Sequence, residues 1–180
     1  MTTKNAVHLS LTELRSLRQR ATELLSTPPV AGVYRPEIRG DRYAAFALPL
    51  QLCQPQNRTR KMPTWRYGKI RKDLFGLMAV QAIEQGITHE GPLSGRPQVR
   101  CTRFSTRATD AYADWGKQAV DILCPSKLRR SNGDGIVKEV MGLGIIVGDA
   151  VGQIEQLQWC EPVKRGEGFV YIEVRRGESV

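Results

Sequence analysis

Three absences bound what this chain of 180 residues can be. It has no apolar run of about 18 residues, the length a membrane-spanning helix needs, and its first residues lack the pattern of a secretory leader. It has no CxxC pair: Cys53, Cys101, Cys124 and Cys160 lie far apart, and the two histidines, His8 and His89, stand alone. A zinc centre is therefore not expected. No internal repeat is visible, which argues against a solenoid. Together these absences lead to the expectation of a cytoplasmic protein with reduced thiols and no membrane partner.

Acidic residues are scarce where basic ones are dense. Met1 to Arg130 holds 22 Lys+Arg against 10 Asp+Glu, a net +12, and Ser131 to Val180 holds 5 against 8, a net −3, which sum to the chain's +9. A basic front joined to a mildly acidic back suits a protein that grips a polyanion with one part and places carboxylates near it with another. Arginine outnumbers lysine 19 to 8, and the guanidinium fork can hold two phosphate oxygens at once. With 41% hydrophobic and 25% charged residues, the composition is globular, and the length is that of one domain with an appendage.

Residues 1–43 read as that appendage, a helix and a linker. Ser10 and Glu13 form a capping box, and Leu11, Leu14, Leu17, Ala21, Leu24 and Leu25 recur at helical spacing as far as Ser26. Such a helix either docks a protein partner or covers the core. Residues 44–180 read as the main domain. Tyr43 to Cys53 is a strand whose Pro49 points to an edge or a bulge. Gly68 to Gln85 is a helix with Ile70, Leu74, Leu77, Met78 and Ile83 as its buried stripe. Gln98 to Ser105 is a strand with Arg100 and Arg103 on an outer face, Thr106 to Gln118 a helix, and Ala119 to Cys124 a buried strand. Gly135 to Val147 reads as a short helix followed by an extended piece. Gln153 to Cys160 and Gly168 to Arg175 read as a closing hairpin. The expected class is α+β, a mixed sheet packed against helices.

Two stretches carry candidate chemistry. Gln54 to Lys72 contains Arg58, Arg60, Lys61, Arg66, Lys69, Arg71 and Lys72 with no acid before Asp73, and Trp65 and Tyr67 lie among the cations. Rings interleaved with cations can stack on bases while the charges hold phosphates. The second stretch is Lys127-Leu-Arg129-Arg130-Ser-Asn132-Gly-Asp134-Gly135-Ile-Val-Lys138, with Val147-Gly-Asp149 after it. Asp134 and Asp149 are hard oxygen ligands of the kind Mg²⁺ takes, and Lys138 would stand one helical turn after Asp134. The bland alternative is that Asp134 caps a helix and Asp149 sits in a turn.

The order of elements and these motifs resemble the RusA-type Holliday junction resolvases, small homodimeric endonucleases common in phages and prophages. Leu48-Pro-Leu50, then Gln54-Pro-Gln-Asn57-Arg58 and the basic run, resemble that family's opening strand, Asn-containing turn and cationic entry to its first helix. Arg129 to Lys138 resembles its core motif of two aspartates flanking one residue, an asparagine, and a lysine four residues after the second aspartate. Val147-Gly-Asp149 resembles the segment that supplies its last metal-binding aspartate. The likeness covers Ala44 to Arg175.

Read through that resemblance, the chain would be a structure-selective endodeoxyribonuclease that binds branched or four-way DNA as a homodimer and cuts phosphodiesters with Mg²⁺. Asp134 and Asp149 would be the metal ligands, Asn132 and Lys138 further site residues, and Arg129 and Arg130 DNA contacts beside the basic run. The chain departs from the family at two positions: Asn132 stands for the first aspartate and Gly135 for the asparagine. The segment between Lys138 and Asp149 is also some three residues shorter than in the family. An Asn keeps an oxygen donor but loses a charge, so a relative that binds DNA or a protein without cutting is the alternative. A second registration places the core motif at Asp110, Tyr112 and Asp114 with Lys117 and Asp121 following, and would put Tyr112 where a carboxylate belongs.

Overall fold

The computed structural model describes residues 9–54, 61–87, 91–106, 115–130 and 137–177. Helix α1 (Leu11–Ser26) opens with the reciprocal cap read from the sequence. The Ser10 hydroxyl accepts from the Glu13 amide at 3.2 Å, and the Ser10 amide donates to the Glu13 carboxylate at 2.7 Å. Strand β1 (Arg42–Pro49) follows, then α2 (Thr64–Glu84), β2 (Gln98–Ser105), α3 (Lys117–Leu123), the short strands β3 (Lys127–Arg130) and β4 (Val137–Val140), β5 (Glu155–Pro162) and β6 (Phe169–Arg175). Three helices, a mixed four-stranded sheet and a small two-stranded sheet make the described chain α+β.

The four-stranded sheet has the order β1-β6-β2-β5, antiparallel except for the β2–β5 pair. Alternation along the strands sorts its faces. Ala44, Phe46 and Leu48 of β1, Val99 and Cys101 of β2 and Val170, Ile172 and Val174 of β6 face α2 and α3, where they meet Ile70, Leu74, Met78, Val120, Ile122 and Leu123. On the other face Ala45, Phe104, Phe169 and Tyr171 take Ala21 of α1, with the rings of Phe104 and Phe169 stacked at 4.5 Å. The N-terminal helix thus covers the sheet. It is tied to α2 as well, because Arg15 and Arg18 both pair with Glu84.

β1 is an outer strand, so one side of its backbone meets no other strand. Two glutamines one turn apart on α2 supply the missing partners. Gln81 accepts from the Ala47 amide at 2.9 Å and donates to the Ala47 carbonyl at 3.1 Å; Gln85 does the same for Ala45 at 3.0 and 2.7 Å. Gln81 is fully buried, whereas Ile83, expected in the buried stripe, is 78% exposed. The helix ends at Gly86, whose φ of +67° allows its own amide to reach the Ile83 carbonyl and that of Ile87 to reach Ala82, a Schellman closure.

Four further expectations about the elements are overturned. Ala119 to Leu123 belongs to helix α3, with Cys124 as its cap, and not to a strand: a short apolar run does not show its period, and Lys117 and Asp121 pair across one helical turn on its open side. The last two strands are not a hairpin. The Val163–Gly168 connection crosses the end of β2, with the Val163 amide on the Ser105 carbonyl at 3.2 Å, so that β6 returns on the far side of β2 from β5. Strand β2 has no basic outer face, since Arg100 is 2% exposed. Its guanidinium pairs with Glu173 at 3.2 Å and lies 5.1 Å from the Trp159 ring. The Gly135–Val147 expectation of a helix also fails, because residues 137–140 are strand β4, paired antiparallel with β3.

The Pro- and Gly-rich segment after α1 holds no helix or strand but is anchored through Arg35. That guanidinium pairs with the buried Glu161 at 2.5 Å and donates to the Leu24 and Leu25 carbonyls, each at 3.1 Å, at the open end of α1. Glu161 also accepts from the Trp159 indole at 2.9 Å.

The glutamine clasp should be costly to remove. Replacing Gln81 with Ala orphans a buried amide and a buried carbonyl, each worth about 1–3 kcal/mol when left unpaired, so urea denaturation should show a loss of about 2–4 kcal/mol; a loss below about 0.5 kcal/mol would show the clasp to be idle. At Glu84, burial by itself would raise the carboxyl pKa, but hydrogen bonds from Arg18 and Arg15 outweigh it and hold the group below the ordinary carboxylate range. A depressed folded pKa contributes stability above the unfolded value of 4.5, and that contribution is lost as pH falls through the folded one. Glu84→Gln should therefore cost about 1–2 kcal/mol at neutral pH, and the gap to the unaltered protein should close in strong acid. A pH-independent gap would assign the loss to packing.

Candidate functional site

A partly exposed charged cluster centres on the first turn of α3. Gly116, just before it, packs so closely on β2 that a Cβ there would lie 3.0 Å from the Cys101 sulfur. Val120, Ile122 and Leu123 are then turned into the core, while Lys117 and Asp121 stay partly exposed. The Lys117 ammonium donates to Asp121 at 2.7 Å and, on its other side, to Asp149. The Asp149 loop is shaped by Gly148, where a Cβ would fall 2.3 Å from the Gln153 amide oxygen; that same oxygen accepts from the Ala150 amide at 3.3 Å. Arg71 of α2 stands 4.0 Å from Asp121 and donates to the Met141 carbonyl at 3.2 Å. The result is a row of alternating charge, Arg71–Asp121–Lys117–Asp149, drawn from α2, α3 and the loop before β5.

Beneath it lie polar atoms the sequence did not flag. The Trp115 indole nitrogen, both amide atoms of Gln118 and the Gln158 carbonyl oxygen are buried without a hydrogen-bond partner among the described residues. Polar residues inside apolar runs give no periodic signal, so nothing in the sequence marked them.

The site residues expected from the sequence separate into three groups. Asn132, Asp134, Arg58 and Arg60 lie outside the described residues, as do Asp110, Tyr112 and Asp114 of the second registration. Asp149 is brought to Lys117, not to Lys138. Lys138 lies on β4, directly opposite Arg129 of β3, so the expectation that it follows Asp134 by one helical turn is overturned. Lys61, Arg66, Lys69 and Lys72 are exposed at the start of α2 with Trp65, which is 72% exposed, whereas Arg71 is engaged as described.

The described donors do not fit a Mg²⁺ ion. Such an ion takes near-octahedral oxygen from carboxylates, water and phosphate, and here two carboxylates already share one ammonium. Among the described residues no group of three Asp, Glu, His or Cys side chains is placed to hold a metal, and no helix is long and apolar enough to cross a membrane.

The ribbon of β3 and β4 carries further exposed cations. All four residues of β3 are exposed, and β4 is exposed except for Val140. Register places Lys127, Arg129 and Lys138 on one face and Leu128, Arg130, Val137 and Glu139 on the other. Arg129 opposite Lys138 is a like-charge pair, which destabilises a ribbon unless a counter-ion is supplied, and among the described residues no carboxylate pairs with either. No family model matches the chain, and neither a curated protein nor a solved structure matches it.

If the Lys117 ammonium holds the position of a cation, its removal should create a demand for one. Lys117→Ala leaves Asp121 and Asp149 without their shared partner. Thermal unfolding of that variant should then rise in millimolar Mn²⁺ by on the order of 2–4 °C, about 1 kcal/mol for a chain of this size. The increment should vanish when Asp149→Asn is added. An Mn²⁺ response identical in the unaltered protein and the variant would place metal affinity elsewhere.

Proposed function

We propose that the protein is a RusA-like nucleic-acid-binding protein that takes the phosphate backbone on the cationic face of its β3–β4 ribbon and on the exposed start of α2. One observation carries this: Arg129 and Lys138 face each other across the ribbon, and among the described residues no carboxylate pairs with them or with Lys127 and Arg130. A polyanion relieves that repulsion and gains from it, since each phosphate neutralised releases condensed counter-ions. A two-stranded ribbon also fits the major groove of DNA, about 12 Å wide. Arg71 joins the two surfaces, because it belongs to α2 and bonds the Met141 carbonyl next to β4. Trp65, exposed among Arg66, Lys69 and Lys72, offers a ring on which a base can stack.

A cleaving protein is the second reading. It is favoured by the meeting of Lys117, three residues after Asp114, with Asp149, 32 residues further along the chain. The second registration names Lys117 as its lysine, and its Asp110, Tyr112 and Asp114 lie outside the described residues.

Fluorescence anisotropy with a labelled four-way junction and a labelled duplex separates the outcomes. Binding should weaken steeply with salt, and Arg129→Ala with Lys138→Ala should lower the slope of log K on log salt by about 2. The same double change should leave unfolding stability equal or higher, because the like-charge pair is gone. Absence of binding at low salt would defeat the proposal. Junction cutting in Mg²⁺ or Mn²⁺ that stops with Asp149→Asn would establish the second reading, and binding without cutting would leave the first alone.

A further inference from the structure

Where the Val163–Gly168 connection crosses the end of β2, it leaves a cleft of about 390 Å³ whose walls include Arg103, Ser105, Lys164 and Arg165. Three features suit it to an anion. The first is its charge: among the described lining residues there are three cations and no carboxylate. The nearby acid on the connection, Glu167, is turned away and paired with Arg20 of α1.

The second is the held guanidinium. Arg103 is fixed by a bond from its Nη1 to the Cys53 carbonyl at 3.3 Å, and its Nε–H is buried with no acceptor among the described residues. A buried donor of a charged group left without an acceptor costs free energy that a ligand oxygen would recover.

The third is the shape of the rim. Lys164 to Glu167 is a tight turn closed by a 3.1 Å amide–carbonyl bond, with Gly166 at φ +89°, the left-handed position such turns reserve for glycine. At Gly168 a Cβ would lie 2.4 Å from the Leu50 side chain and 3.0 Å from the Phe104 carbonyl. A larger residue there would have to displace the Leu50 side chain and press on the β2 backbone. The approach holds Lys164 and Arg165 at the mouth of the cleft above Arg103.

We propose that this cleft binds a phosphate group. Arg103 anchors it from below, and Lys164 and Arg165 close on it from the rim. The inference rests on the nucleic-acid reading for the source of that phosphate, a backbone phosphodiester, and adds to it a contact separate from the ribbon. A free phosphate or nucleotide would satisfy the same chemistry.

The test follows the Gly166 and Gly168 amide signals by ¹⁵N NMR in the full chain. The titrants are inorganic phosphate, chloride at equal ionic strength, and a short single-stranded oligonucleotide. Saturable shifts with phosphate and with the oligonucleotide, absent with chloride, are expected. Lys164→Ala with Arg165→Ala, both exposed positions, should weaken the phosphate response at least tenfold. In anisotropy the same pair should lower the salt slope for single strands by about 0.7, one phosphate's worth. That fall should persist in the Arg129→Ala, Lys138→Ala protein, which isolates the cleft from the ribbon. Glycine signals that stay still, or that move equally with chloride, overturn the site even if the protein binds DNA through its ribbon. Shifts with phosphate but not with the oligonucleotide keep the site, assign it to free phosphate or nucleotide, and count against the nucleic-acid reading alone.

Discussion

The architecture depends on how one strand edge is closed. An outer β-strand presents a row of unpaired amides and carbonyls, and proteins cover or blunt such edges because they invite other chains. Here Gln81 and Gln85 copy the donor–acceptor pattern of a neighbouring strand with side-chain amides. This fixes the height and rotation of α2 against β1 more tightly than apolar packing alone, which is non-directional. Everything else on α2 inherits that placement. Glu84, at its last turn, receives α1 through two arginines; Arg71, near its first turns, reaches Asp121 and the Met141 carbonyl. The helix is a spine, and the clasp determines where its ends lie.

The opposite face of the sheet is held by buried charge. Arg100, Glu173 and Arg175 form one group and Arg35, Glu161 and Trp159 another, and the Trp159 ring, 5.1 Å from Arg100, brings them together. Buried ion pairs add little net stability over apolar residues of the same shape, yet breaking one is expensive. Their value here lies in register. Arg100 finds its carboxylate only if β2 lies beside β6, and Gln98 finds Glu155 at 3.3 Å only if β5 runs alongside β2.

Much of the fold was legible because its signals are local. The Ser10–Glu13 box, the periodic leucines of α1 and the first strand, read from Tyr43 though it ends at Pro49 and not at the expected Cys53, each occupy a few neighbouring residues. The errors fell where the deciding contact is distant in the chain. Ala119 to Cys124 shows no period because the residues on both sides of it face the core, and only the Lys117–Asp121 pair reveals a helix. Arg100 reads as an exposed cation until Glu173, 73 residues later by the numbering, supplies its partner. Likewise the closing strands read as a hairpin because adjacency in sequence is the default, and nothing local announces that β2 will lie between them. At the candidate site the basic run, the ribbon cations and Asp149 were marked in advance by residue type. The partnership of Asp149 with Lys117 and the cleft under Gly168 were not, since each depends on a loop closing over an element formed far earlier.

The position of β6 has a consequence for the order of assembly. It is the last strand along the chain, yet it lies between β1 and β2, so in the four-stranded sheet β1 has no strand partner until Phe169 to Arg175 are present. On a ribosome that makes the chain from its N-terminus, the glutamine-clasped β1 and the parallel β2–β5 pair must wait as separate halves. Contacts this distant close a large loop before they return any free energy, which is what slows folding in such topologies. During that wait the apolar faces of β1 and β2 have no strand to separate them from other chains. The clasp on the outer side of β1 leaves only its inner edge open, and that is the edge β6 fills.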